Sequence, residues 1–355
     1  MSNQNPYISI FMAVYNNEQF LPAALDSALA QRWTSFELII VDDGSTDGGG
    51  AICDQYAAKD SRIRVMHIPN GGLFPAINKG LDLAKGEFLA YLDSDDYLEP
   101  DAYEHLAQAQ MNLNADVVDS LIRPVYVPGE PKTITDLFSS PEKGILYIED
   151  DASGKPQVHF SGSLATKLIR IDLLRQHGMR LDERYLCGSD SLFTIQLSKI
   201  VKQYRFIDRV TYNWRRQTQN SLTTTYSPTK LRRSRENLIF LDHLRQALAE
   251  SYPAVRVDAA LGDMYVNHAI RYLVACGADS LAGKEKEAYE NFLQIFTSDR
   301  FLHSLPYYNP GKDKGKSRLL PILARLRLPS LAFALCKRKA AKRYQRELAA
   351  LDNVK

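Results

Sequence analysis

The sequence predicts an α/β protein, a mostly parallel sheet with helices on both faces, followed by a helical C-terminal region. Three observations carry this. Short apolar, strand-like runs alternate with segments of helical period from residue 7 to about residue 127, joined by short links, a pattern that implies right-handed crossovers. The first two runs, YISIFMAV and FELIIV, are apolar on both faces, as central parallel strands are. After Ser227-Pro228 the period becomes helical with no strand partners.

Taken in order, residues 7–14 form the first strand, and Tyr15-Asn16-Asn17 a turn. Residues 20–31 carry Leu21, Ala24, Leu25, Ala28 and Leu29 at helical spacing. Strand 36–41 ends in Asp42-Asp43-Gly44-Ser45. A helix over 48–58, a strand at 63–68, a helix at 75–84 and a strand at 88–92 follow. Glu99-Pro100-Asp101 reads as a helix start, with proline where its missing N–H costs nothing, and that helix runs over 100–114. A strand at 115–127 gives way to a proline-broken stretch, 125–158, of loops and short antiparallel pieces. Residues 167–176 and 191–202 read as helices and 205–214 as a late strand. Helices at 229–250, 255–276 and 285–296 complete the chain up to a basic tail. The domains are expected at 1–227, 228–310 and 311–355.

Composition is that of a globular protein, with 45% hydrophobic and 24% charged residues in 355. The net charge of +2 hides an asymmetry. Residues 311–346 carry twelve Lys/Arg against Asp313 alone, a balance of +11, which leaves −9 on the rest. That tail is expected to meet an anionic surface. Its leucines, interrupted by Arg325, Arg327 and two prolines, suit lying in a lipid headgroup layer rather than spanning it. The alternative is a helix packed on the helical domain with a solvated basic face. Nucleic acid is not expected, because aromatic interleaving and any known module are missing. Four scattered cysteines (Cys53, Cys187, Cys276, Cys336) show no metal-type spacing. The N-terminal stretch has no basic region before a long apolar run, so no signal peptide is expected.

Chemistry concentrates at the acidic strand ends. The run GEFLAYLDSDD ends in Asp93, Asp95 and Asp96. In open α/β sheets ligands sit beyond the carboxyl ends of the strands. If strand geometry persists, Asp93 and Asp95 project to one side, where two carboxylates repel unless a hard cation joins them. Helix capping would explain the same spelling without a ligand. Asp42-Asp43 has a similar alternative in an Asx-type turn, and Asp190 in CGSDSLF in a plain helix cap.

Together SIFMAVYN, VDDGSTD, NGGLFPAINKG, GEFLAYLDSDD and an acidic residue before a helix resemble a family 2 glycosyltransferase of the bacterial polysaccharide or lipooligosaccharide type. The similarity covers roughly residues 7–225. It implies a GT-A fold with a Rossmann-like sheet and inverting transfer of a sugar from a nucleotide diphosphate, expected to be UDP-linked. It further implies Mn²⁺ or Mg²⁺ at Asp95, with Asp93 as second contact. Donor contacts implied by the resemblance are Ala13, Val14, Tyr15, Asn16, Glu18, Asp42, Asp43, Asn70, Gly71, Asn78, Asp93, Ser94, Asp95 and Arg215. Asp43 would accept the N3–H of a uracil, Arg215 or Arg216 would steady the diphosphate, and Asp190 would be the base, with Asp182 or Glu183 as alternatives. The chain departs from the family pattern at Ile77, where an arginine is common, and at Ser189, where a glutamate is. His159 is read as structural.

The expected acceptor is a saccharide, lipid-linked on the inner face of the cell membrane, with a cytoplasmic, peripherally bound enzyme. Two alternatives are a non-catalytic nucleotide-sugar-binding homologue or scaffold and a sugar nucleotidyltransferase. The second lacks its Gly-rich, Arg-containing loop after the first strand. Neither the G-x-G-x-x-G of a dehydrogenase nor the Lys-Ser/Thr of a P-loop is present.

Overall fold

The computed structural model describes residues 7–126, 130–131, 143–185, 188–216, 229–310 and 317–343. Two compact units result: Met1–Tyr147 with His159–Tyr185 and Ser189–Gln219, and Ile148–Val158 with Leu186–Gly188 and Asn220–Lys355. The first unit alternates β1 (Ile8–Val14), α1 (Leu21–Leu29), β2 (Phe36–Asp42), α2 (Gly49–Lys59), β3 (Ile63–His67), α3 (Leu73–Leu83) and β4 (Phe88–Tyr91). Then come β5 (Tyr97–Leu98), α4 (Ala102–Leu113), β6 (Val117–Tyr126) and β7 (Glu130–Pro131). A separate hairpin is formed by β8 (Leu146–Asp150) and β9 (Pro156–Phe160), followed by β10 (Lys167–Arg170), α5 (Ile171–Gln176), α6 (Ser189–Ile200) and β11 (Tyr204–Arg216).

The main sheet runs β3-β2-β1-β4-β10-β6-β11-β5, with β7 on β6. Strands β3, β2, β1 and β4 are mutually parallel. Along β1, Ile8, Ile10, Met12 and Val14 enter one core layer while Phe11 and Ala13 enter the other, the period-2 signature of a strand covered on both faces. Helix α3 crosses β1 so closely that a Cβ on Gly80 would stand 1.8 Å from the Phe11 ring, so no larger residue fits there.

The helix expected over 167–176 is instead strand β10 plus the short α5. The run KLIRIDLL suits either period. The sheet decides: β10 inserts antiparallel between β4 and β6, and Leu168 and Ile169 enter opposite core layers. Strand β4 ends at Tyr91, one residue short of expectation, and residues 92–96 form a turn closed by the Asp96 N–H on the Asp93 carbonyl (3.2 Å).

A buried polar network pins this reversal of direction. The Lys167 ammonium lies 2.9 Å from Asp119, both side chains fully buried. It also donates to the Ser161 hydroxyl and the Ser163 carbonyl. Asp119 in turn accepts from Ser161 and Thr166, each at 2.6 Å, from the Ser120 N–H at 2.9 Å and from Tyr204 at 3.2 Å.

The second unit is helical: α7 (Thr229–Ala249), α8 (Ala254–Leu281), α9 (Glu285–Phe296), α10 (Asp299–Ser304), α11 (Leu319–Arg325) and α12 (Pro329–Arg343). Helix α8 is its axis, and Gly277 lets the α12 backbone approach to where a Cβ would meet Cys336 at 2.7 Å. The tail expected to stand apart from residue 311 therefore packs, in its described part, on the helical unit through Phe333, Cys336 and Ala340. No helix among the described residues is long and apolar enough to cross a membrane.

Candidate active site

The site lies in the first unit, at the carboxyl ends of β2, β1 and β4, three adjacent strands. There the β1–α1 and β2–α2 loops are stapled together. Asn16, at φ 49°, accepts from the Thr46 N–H (2.7 Å), and Glu18 accepts from the Gly48 N–H (2.7 Å). Asn16 and Glu18 thus tie the two loops together, and both remain exposed. Ala13 and Val14 are core residues, and the Val14 carbonyl takes the Asp43 N–H. Tyr15 is different: half of it is exposed, which leaves its ring available to a flat base.

Asp42 also differs from expectation. One oxygen accepts from the Ser45 N–H (3.1 Å) and the other faces His67 Nδ1 (2.8 Å). Burial alone would raise its pKa, but these hydrogen bonds outweigh burial and hold it below the usual carboxylate range. The Asp43 carboxylate receives the Gly71 and Gly72 N–H groups at 2.7 and 2.8 Å, while Asn70 donates to the Asp43 carbonyl. Asp43, Asn70 and Gly71 therefore meet as expected in one wall. Asn78 does not join them. It is buried, donates to the Leu181 carbonyl and Glu183, and accepts from the Leu181 N–H, so its polar atoms are occupied inside the fold.

The acidic turn carries the strongest electrostatics. Asp93 accepts from Tyr91 (2.6 Å) and Tyr212 (3.2 Å), and its N–H donates to the Tyr212 hydroxyl. Asp96 accepts from Tyr212 (2.9 Å) and from the Arg215 N–H (2.7 Å). Desolvation, with the neighbouring carboxylates, pushes Asp93 up to about 6 and Asp96 up to about 9. Asp95 is half-buried and raised by desolvation, opposed by its own N–H and the charge of Arg215. Ser94 is buried and accepts from Asn17 Nδ2 at 2.9 Å, a link across to the β1–α1 loop. The Arg215 guanidinium is packed over Phe20 (4.8 Å) and Tyr97 (5.4 Å). Cys187 and the side chain of Arg216 lie outside the described residues.

Asp190 stands in the first turn of α6. Desolvation raises its pKa, against its own N–H, that of Ser191 and the Lys167 ammonium. Its charge acts on Asp93 and Tyr91. Of the alternatives, Asp182 pairs with the exposed Arg184 at 2.6 and 2.8 Å, and Glu183 accepts from Asn78. Ser189 is fully buried, so a glutamate there would need its own room and counter-charge. His159 stacks on Tyr147 at 4.8 Å, as a structural residue does.

No three His, Cys, Asp or Glu among the described residues converge to hold a metal by themselves. The donor set still suits Mg²⁺ or Mn²⁺, which needs one or two carboxylates and completes its shell with water and substrate phosphates. Asp95 would hold the ion first, with Asp93, engaged by two phenols, as the second contact. Sequence reading missed the roles of Tyr91, Tyr212 and Asn17; of these only Tyr91, just before the acidic run, carried a signal.

These carboxylates make a pH prediction. Asp93 and Asp96 bind protons in the folded state well above the value of about 3.9 expected in the unfolded chain. Where the native state holds more protons, stability falls as pH rises. Thermal melts in EDTA should therefore drop steadily from about pH 4 to about pH 9, and Mg²⁺ should flatten the slope. A melting temperature independent of pH, or a slope indifferent to Mg²⁺, would contradict the charge cluster.

Residues 9–178 match the model of the family described as Glycosyl transferase family 2. The chain is 30% identical over 224 residues to the uncharacterized glycosyltransferase EpsJ of Bacillus subtilis, covering 61% of this chain and 63% of EpsJ. It is 41% identical over 112 residues to glycosyltransferase GlyG of Streptococcus pneumoniae, covering 31% and 37%. The matches thus span less than two thirds of either relative. Among solved structures, S. aureus TarS 1-349 in complex with UDP-GlcNAc superposes with TM-score 0.57 at 19% identity, covering 95% of this chain and 92% of TarS 1-349. Mannosyltransferase PcManGT of Pyrobaculum calidifontis, in complex with GDP-Man and Mn²⁺, gives 0.53 at 13% identity, covering 94% and 88%. At these identities the likeness concerns the fold, which is of GT-A type. Over residues 9–178, this chain is similar to glycosyl transferase family 2.

Proposed function

We propose that the protein transfers a sugar from a UDP-linked donor to a saccharide hydroxyl, with inversion by direct displacement, in cell-surface polysaccharide or glycolipid assembly. What supports this is that the charges of Asp95 and Asp190 both act on Asp93, and that of Arg215 on Asp95. Tyr15 offers its ring to the base, and Asp43, fixed by two glycine N–H groups, accepts from uracil N3–H. Arg215, sandwiched between two rings, presents a planar fork to the diphosphate. Asp190 takes the proton of the attacking hydroxyl. When bound at Asp95 with Asp93 behind it, Mn²⁺ or Mg²⁺ supplies a Lewis acid for the charge of the departing diphosphate. The UDP-GlcNAc complex of TarS supports a uridine donor, and the Mn²⁺ of PcManGT supports the metal. The acceptor is a lipid-linked saccharide met at the inner face of the cell membrane, to which the cytoplasmic enzyme binds peripherally.

Thermal-shift screening of UDP-, GDP-, CDP- and dTDP-sugars, with and without Mn²⁺, tests the donor. Ligand at 100 times its Kd stabilises by about 2.7 kcal/mol, and a UDP-sugar with Mn²⁺ should stand out. Equal shifts from GDP-sugars, or shifts indifferent to metal, would remove the donor assignment. A non-catalytic binder would show the same shift and release no UDP when acceptor is present.

A further inference from the structure

Single exposed leucines need no explanation, but the elbow between α11 and α12 exposes five large apolar side chains in thirteen residues. Helix α11 turns Leu320, Leu323 and Ala324 inward. Leu319, Ile322 and Leu326, at i, i+3 and i+7, form the opposite stripe, which Leu328 and Leu331 continue beyond the turn; these five are between 38% and 61% exposed. The elbow is fixed. Arg327 sits at φ 52°, and its N–H and that of Leu328 close onto the Ala324 and Leu323 carbonyls (3.1 and 3.0 Å). Arg325 is held by the Leu305 carbonyl at 3.2 Å.

Within residues 317–343 the charge is of one sign, with eight Lys/Arg and no acidic residue. Arg325 and Arg327 interleave with the leucines, and Arg338, Lys342 and Arg343 follow on α12, all exposed, while Lys337 pairs with Glu285 of α9 at 2.8 Å. An apolar stripe interleaved with cations is complementary to a surface that is anionic outside and apolar below.

We propose that the α11–α12 elbow docks on an anionic phospholipid surface. Leu319, Ile322, Leu326, Leu328 and Leu331 enter the boundary between headgroups and acyl chains, and Arg325 and Arg327 meet the phosphates. This deepens the membrane-bound reading of the function and assigns it to one face. It also unites the two expectations for the tail, since the inner side of both helices packs and the outer side docks.

The test is co-sedimentation of the full chain with vesicles of phosphatidylcholine alone or mixed with phosphatidylglycerol. Binding is expected only to the anionic vesicles and should weaken as NaCl is raised. The triple substitution Ile322→Asp/Leu326→Asp/Leu331→Asp should lower the bound fraction by about tenfold, with an unchanged circular-dichroism melt. Should that variant misfold, Leu326→Cys carrying a polarity-sensitive dye, against the dye-treated parent, gives an independent reading through a blue shift on anionic vesicles. The UDP-sugar thermal shift should be the same in parent and variant. Loss of lipid binding with donor binding intact thus separates this surface from the transferase site. Equal binding to neutral vesicles, no loss in the triple variant, no blue shift, or a solution dimer dissolved by Leu326→Asp would each overturn the proposal.

Discussion

Asp190→Asn is expected to lower sugar transfer by about 10³-fold, within the range for removing a general base, while donor affinity stays nearly unchanged. The asparagine keeps the size and the backbone contacts of the α6 first turn but cannot accept a proton. Its charge acts on Asp93 and Tyr91, and the proposed function makes it the base; Asp182 and Glu183 are engaged by Arg184 and Asn78. Steady-state UDP release with saturating donor, paired with calorimetric titration of UDP, reads the two quantities separately. Full turnover in the variant would take Asp190 out of the reaction; a parallel loss of UDP affinity would make it a structural cap. Asp182→Asn and Glu183→Gln should leave turnover close to that of the parent.

Lys167→Met should be the most damaging single change to stability in the first unit, costing about 3–5 kcal/mol. Methionine fills the volume but abandons Asp119, a fully buried carboxylate. At about 2–4 °C per kcal/mol for a domain of this size, the melting temperature should fall by about 10 °C. A loss under 1 kcal/mol would show that the hydrogen bonds from Ser161, Thr166 and Tyr204 alone hold the charge. Because Lys167 also acts electrostatically on Asp190, the variant that survives should shift the acid limb of the rate profile upward.

Much of this was readable from residues alone. Periodicity placed β1, β2, β3, β4 and the helices between them to within a few residues, because a strand buried on both faces and a helix with one apolar stripe leave distinct marks. The motif order located the acidic turn, Asp43 and Asp190 as candidates. Spacing failed where two elements share a pattern: β10 reads as helix until β4 and β6 leave a gap that only a strand can fill. Nor could it show that the Asn78 amide turns inward to Leu181, or that Asn16 and Glu18 tie loops together.

What the sequence by itself determined is the inventory: which strands are apolar throughout, where acid follows them, and that the C-terminal segment is basic and leucine-rich. What only the tertiary structure decided is which carboxylates share a space. Tyr212 lies more than a hundred residues from Asp93 and Asp96, yet it is buried with them, and that burial sets the protonation of the turn against the hydrogen bonds Tyr212 gives. The reason is physical. A local pattern reports the period of one segment's burial, whereas a pKa, a ligand position or an exposed stripe depends on what distant segments bring to within a few ångströms.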